Sequence, residues 1–150
     1  MYAPVTLFLE KLFNDTAFIR QHRMHVKMSV FDTHDTRFLG NHAPDIAICP
    51  PMINNANVIS AKALVELKPP GAPITLEARG QAYDYLLRLA GAQPNRNTFT
   101  ILVSNIVDDE FNTIVRDADG DFTVSHHGLV QFVVALVYLC IVSSGLGLLA

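Results

Sequence analysis

Three residues of the 150-residue chain combine types and spacing that could do chemistry together: Asp45, Glu66 and Lys68. Asp45 follows Pro44 at the start of the apolar run PDIAIC. Glu66 and Lys68 stand two apart at the end of VISAKALVELK. A period of two puts Glu66 and Lys68 on one face of a strand. If the two runs pair as a hairpin, Asp45 comes to lie beside them. Two carboxylates and the main-chain carbonyl of Leu67 then offer oxygen ligands to Mg2+ or Mn2+, a cation type that keeps several of its waters. A neighbouring ammonium would orient an attacking water or help to deprotonate it. This is the composition of a site for phosphodiester hydrolysis. Each piece also has a bland reading. Alternating charges mark any strand with one solvated face, and Pro-Asp opens many strands. Only the order and placement of the pieces set them apart.

Those side chains need elements to position them. Apolar residues Leu7, Phe8, Leu12, Phe13 and Phe18 predict an opening helix from about Val5 to Phe18. Strands are expected at Val26–Phe31, Pro44–Cys49 (stopped by Pro50-Pro51) and Val58–Lys68 (stopped by Pro69-Pro70-Gly71). A helix is expected over Ile74–Ala90, with Leu76, Ala78, Tyr85, Leu86 and Leu89 for one face and Gly91 as its stop. TFTILVSNIV, residues Thr98 to Val107, reads as a central strand. Phe111–Val115 and Phe122–Val124 read as a hairpin closed at Asp119-Gly120. Three early strands, a helix and a further strand predict an α/β fold with a mixed central sheet and flanking helices.

With the elements in place, Pro44-Asp45 followed by Glu66-Leu67-Lys68 resembles the PD-(D/E)xK nuclease signature. Gln81-Ala82-Tyr83-Asp84-Tyr85, on the helix that follows, resembles the QxxxY motif of the RecB-like branch of that superfamily. The resemblance covers residues from about Val5 to Asn105, two thirds of the chain. It implies a restriction-endonuclease-like αβββαβ core. It also implies Asp45 and Glu66 as metal ligands with the Leu67 carbonyl, and Lys68 as the catalytic lysine. Gln81 and Tyr85 would face the site one turn apart and contact DNA or the catalytic groups. Many members carry a further glutamate in the opening helix, where Glu10 stands. The arrangement is also similar to nuclease-like domains of Crinkler-type proteins. The expected activity is hydrolysis of DNA or RNA by a metal-activated water. The alternatives are a catalytically inactive module of the same fold that binds nucleic acid or a protein, and a small membrane-anchored protein.

Composition bounds these readings. Half of the residues are apolar and 17% are charged, which excludes a disordered or fibrous chain, and the length is that of one domain. The net charge of −3 gives no broad basic field, so a nucleic-acid groove must be local. A homodimer or a fused second domain would supply what the groove lacks. Arg79, Arg88 and Arg96 either line a phosphate-binding face or simply solubilise the surface. Cys49 and Cys140 lack metal-ligand spacing and read as buried free thiols in a reducing compartment. The N-terminus lacks the pattern of a signal peptide. Residues 128–150 hold no charge and are long enough to cross a bilayer. Gln131 and the Ser143-Ser144-Gly145 break favour a helix over Leu129–Val142 packed on the sheet, with Phe132, Leu136 and Leu139 buried. The abrupt apolar ending also fits a longer, truncated protein. The expected setting is intracellular and soluble, cytoplasmic or nuclear.

Rival motifs are poorer. Asp117 to Asp121 lacks the downstream glutamate of a calcium loop and reads as a hairpin turn. His126 and His127, adjacent on a strand, point to opposite faces. His22 and His25 have no supporting carboxylate motif. Ser144 to Gly147 lacks the Lys-Ser or Lys-Thr of a phosphate loop.

Overall fold

The chain runs α1 (Tyr2–Asn14), β1 (Ser29–Asp32), β2 (Ile46–Cys49), β3 (Ala63–Leu67), α2 (Leu76–Ala92), β4 (Thr98–Ser104), β5 (Asp109–Arg116) and β6 (Phe122–His127). The computed structural model describes residues 2–14, 28–51, 53–105, 109–116, 119 and 122–127. The expected helix over Leu129–Val142, its residues Phe132, Leu136 and Leu139, and Cys140 lie outside the described residues. Among the described residues, no helix is long and apolar enough to cross a membrane.

The fold is α/β. Among the described residues, six strands form one mixed sheet in the order β1-β2-β3-β4-β5-β6. β1, β2 and β3 are antiparallel neighbours, with Phe31 opposite Ala47 and Ala47 opposite Leu64. β3 and β4 are parallel, with Glu66 beside Val103 and Leu67 beside Ser104. The crossover between them is α2. The hairpin expected after β4 forms as β5 and β6, with Phe111 opposite His127.

Alternation divides the sheet into two faces. Ala47, Cys49, Leu64, Phe99, Ile101 and Val103 pack against Ala78, Ala82, Leu86, Leu89 and Ala90 of α2. The intervening residues Ile46, Ile48, Val65 and Leu67 are buried as well. The central strands therefore read as apolar runs because both of their faces are covered. α1 packs beside β1, with Leu9 buried. Cys49 is a buried free thiol, and burial raises its pKa.

Most element boundaries differ from the sequence reading by a few residues, and three of the differences have a visible cause. β3 starts at Ala63 instead of Val58. Asn57 folds the preceding residues into a turn: its side-chain oxygen accepts the Ser60 N–H and its carbonyl accepts the Ala61 N–H. α2 starts at Leu76, because Thr75 caps it by accepting the Ala78 N–H. It runs past Gly91 to Ala92, since Gln93 makes the end. The Gln93 N–H donates to the Leu89 carbonyl, and its side chain donates to the carbonyls of Val58 and Ala61.

Candidate active site

Asp45 precedes β2, and one step beyond the Ile46–Val65 pair brings it opposite Glu66. The same alternation puts Asp45, Glu66 and Lys68 on the α2 face of the sheet. Asp45 Oδ2 accepts the main-chain N–H of Leu67 at 2.6 Å. Lys68 Nζ donates to Glu66 Oε1 at 2.9 Å and to Gln81 Oε1 at 3.0 Å. Gln81 Nε2 donates to the Tyr85 hydroxyl at 2.7 Å, and that hydroxyl donates to Glu66 Oε2 at 3.2 Å. Lys68, Gln81, Tyr85 and Glu66 thus close a ring of hydrogen bonds, and Asp45 stands beside it.

The elements dictate this ring. Gln81 and Tyr85 are four apart on α2, hence stacked on one side of the helix. α2 returns antiparallel over β3, so its first turns lie over the strand's last residues. The turn after Lys68 is held to β4. The Lys68 N–H donates to the Ser104 carbonyl at 2.8 Å, the Gly71 N–H donates to the Asn105 carbonyl at 3.2 Å, and the Asn105 side chain donates to Ala72.

Both carboxylates are buried, Asp45 at 8% exposure and Glu66 at 7%. Burial pushes Asp45 up to about 6. The Glu66 charge adds to the rise, while the Leu67 N–H and the charges of Lys68 and His34 oppose it. Burial also raises Tyr85, and the charge of Glu66 and the bond to it push the same way. The phenol therefore stays a donor.

Asp45 and Glu66 offer carboxylate oxygens, the donor type that a hard divalent cation takes. Two carboxylates face one another across a strand pair, and one of them is hard to ionise beside the other. Each Glu66 oxygen has one donor and retains a second lone pair. Among the described residues, no three or more His, Cys, Asp or Glu side chains group to hold a metal ion. An all-protein cage is therefore not built there. A hard cation that keeps several waters needs only one or two carboxylates. Leu67 is the last residue of β3, between the two carboxylates, with its N–H already serving Asp45.

Asp45, Glu66, Lys68, Gln81 and Tyr85 come together. Glu10 sits half-buried on α1, beside β1. The charges acting on Asp45 are those of Glu66, Lys68 and His34. Of the three arginines, Arg79 and Arg88 are exposed on α2. Arg96 is structural instead. Its guanidinium donates to the carbonyls of Ala61 and Lys62 and to Gln93 Oε1, and it stacks over Phe99 at 4.8 Å. Enclosure lowers its pKa to about 10.

Two contacts made with α2 escape sequence reading. The His42 ring meets the Tyr85 ring edge-on, with centroids 5.5 Å apart. Gly40, at φ +65°, lies where an added Cβ would sit 2.5 Å from the Arg88 guanidinium. Both belong to the β1–β2 connection, which has no periodicity to betray which side chains turn inward. Compared with protein-family models, with curated proteins and with solved structures, the chain matches none.

Proposed function

We propose that the chain is a divalent-metal-dependent nuclease with a restriction-endonuclease-like αβββαβ core, hydrolysing phosphodiester bonds of DNA or RNA. The observation that carries this reading is the closed ring of Glu66, Lys68, Gln81 and Tyr85 with Asp45 beside it. Asp45 and Glu66, with the Leu67 carbonyl, would hold Mg2+ or Mn2+. When bound, such a cation supplies polarisation of the phosphate and a lowered pKa for the attacking water. Lys68 Nζ, 2.9 Å from Glu66 Oε1, would stand where charge develops on a phosphate during attack. Gln81 and Tyr85 fix the Lys68 and Glu66 side chains, so little reorganisation is needed at reaction. Burial of both carboxylates keeps bulk water from screening them.

The ring also favours a second reading. Lys68 and Tyr85 already give each Glu66 oxygen a protein donor, so the same fold would also serve as an inactive module binding nucleic acid or a protein. Nicking of supercoiled plasmid by the full chain, with and without Mg2+ or Mn2+, separates the two. The nuclease reading expects metal-dependent nicking that Glu66→Gln abolishes. Absence of nicking with either metal overturns it. DNA is the favoured partner, with a homodimer or a fused domain completing the groove, in a cytoplasmic or nuclear setting.

A further inference from the structure

The β1–β2 connection brings a second group to the site besides Asp45. It closes at its neck, where the Thr33 N–H donates to the Asp45 carbonyl at 2.9 Å and the Thr33 hydroxyl donates to the Pro44 carbonyl. Within it, Leu39 and His42 exchange main-chain bonds around a tight turn with Gly40 at φ +65°. The His42 N–H donates to the Leu39 carbonyl at 3.1 Å, and the Leu39 N–H donates to the His42 carbonyl at 3.3 Å. Leu39 is buried in the core that α2 shares. The place of the His42 ring is therefore set by main-chain bonds and a core anchor, three residues before Asp45.

That ring stands against Tyr85, with centroids 5.5 Å apart and planes at 69°, an edge-to-face arrangement that aromatic pairs favour. Tyr85 is 1% exposed, and its hydroxyl donates to Glu66 Oε2 at 3.2 Å. Only two torsions separate the phenol from the helix backbone, so what touches its ring decides where the hydroxyl points. Glu66 Oε1 is held by Lys68, a longer and partly exposed side chain. The better-fixed of the two donors to Glu66 is thus the one that His42 abuts. One connection presents Asp45 directly and reaches Glu66 through Tyr85.

We propose that His42 is a positioning residue for the cation site: its ring holds the Tyr85 phenol, and through it the Glu66 carboxylate, in the orientation that takes Mg2+ or Mn2+. The proposal rests on the metal site of the nuclease reading and adds a residue to it. The test is calorimetric titration of the full chain with Mn2+ and no nucleic acid, which reads affinity apart from activity. His42→Ala and His42→Leu should each bind Mn2+ about tenfold more weakly, the size of effect that partners of metal ligands commonly have. Leucine fills the space of the imidazole without an aromatic edge, and so serves even where alanine does not fold. His42→Phe keeps an aromatic edge against Tyr85 and should restore wild-type affinity. Tyr85→Phe should weaken binding too, and adding His42→Leu to it should weaken it no further, because the hydroxyl that carries the effect is already gone. A merely structural contact lowers stability in urea melts and leaves Mn2+ affinity unmoved. Unaltered affinity in His42→Leu, no restoration by phenylalanine, or full additivity with Tyr85→Phe each overturns the proposal. The nicking assay judges the nuclease reading separately. Metal-dependent nicking without a His42 effect on Mn2+ affinity sinks the positioning role alone. A His42-dependent affinity without nicking sinks catalysis and leaves the positioning role standing. No Mn2+ binding by the wild type overturns both.

Discussion

The Asp45 carboxylate is tied to the main chain of Leu67, one residue beyond Glu66, by a hydrogen bond of 2.6 Å. Its direction is therefore inherited from the β2–β3 pairing and not from a flexible side-chain contact. Any change that slips this strand pair by one residue would send Asp45 and Glu66 to opposite faces.

Asp45→Asn should fold, since its amide oxygen can still accept the Leu67 N–H. Asp45 has a native pKa of about 6 against 3.8 for the free group, so the native state holds the proton more tightly. Its contribution to stability is full below about pH 4 and is lost as the pH rises through about 6. The stability difference should swing against the wild type by about 1–2 kcal/mol between about pH 4 and 7, after allowance for solvent screening. Urea melts of both chains measure the swing, and a flat difference would remove the buried-carboxylate account. Mg2+ should raise the Tm of the wild type and leave that of Asp45→Asn unmoved.

Lys68→Ala should lower nicking at least about 100-fold while retaining Mn2+ binding, because it removes an ammonium near the developing charge and no ligand. Calorimetric titration with Mn2+ and plasmid nicking are the paired measurements. Near-wild-type nicking would reduce Lys68 to a strand charge that happens to meet Glu66.

Tyr85→Phe takes a donor from Glu66 Oε2 and an acceptor from Gln81 in a buried setting. A loss of about 1–3 kcal/mol in unfolding free energy is expected, with nicking slowed about tenfold. If stability and rate both stay at wild-type values, the ring is incidental to the site.

Arg96→Ala should behave differently from a phosphate-contact variant. It breaks bonds to the Ala61 and Lys62 carbonyls and the stack on Phe99. About 2–4 kcal/mol of stability should go, while the salt slope of oligonucleotide binding stays unchanged. A shallower slope would return Arg96 to the binding face.

What the sequence made legible was periodic or local. Glu66 and Lys68 sit two apart on a strand, and Gln81 and Tyr85 four apart on a helix. Each pair shares a face whatever surrounds it, and pairing the two early strands suffices to bring Asp45 across from Glu66. The early end of β3 was hidden because Val58 to Ser60 look like strand residues, while Asn57, outside the run, decides for a turn. The length of α2 was hidden because Gln93 ends it through contacts with a segment over thirty residues earlier. Arg96 was misplaced for the same reason: its partners are main-chain carbonyls, which leave no mark in a sequence. His34 and His42 lie in a connection whose fold depends on Gly40 and on tertiary contacts with α2.

From Asp45 to Tyr85, every group in the ring and its neighbouring carboxylate comes from one stretch of 41 consecutive residues. β1 and Thr33 support this stretch at its start, and the parallel β3–β4 pair supports it at Glu66 and Leu67. The β5–β6 connection around Asp119 is therefore the natural place for new termini. New termini there leave β1 to β4, α1 and α2 in one contiguous stretch, so the ring and Asp45 stay together when the far edge of the sheet is cut.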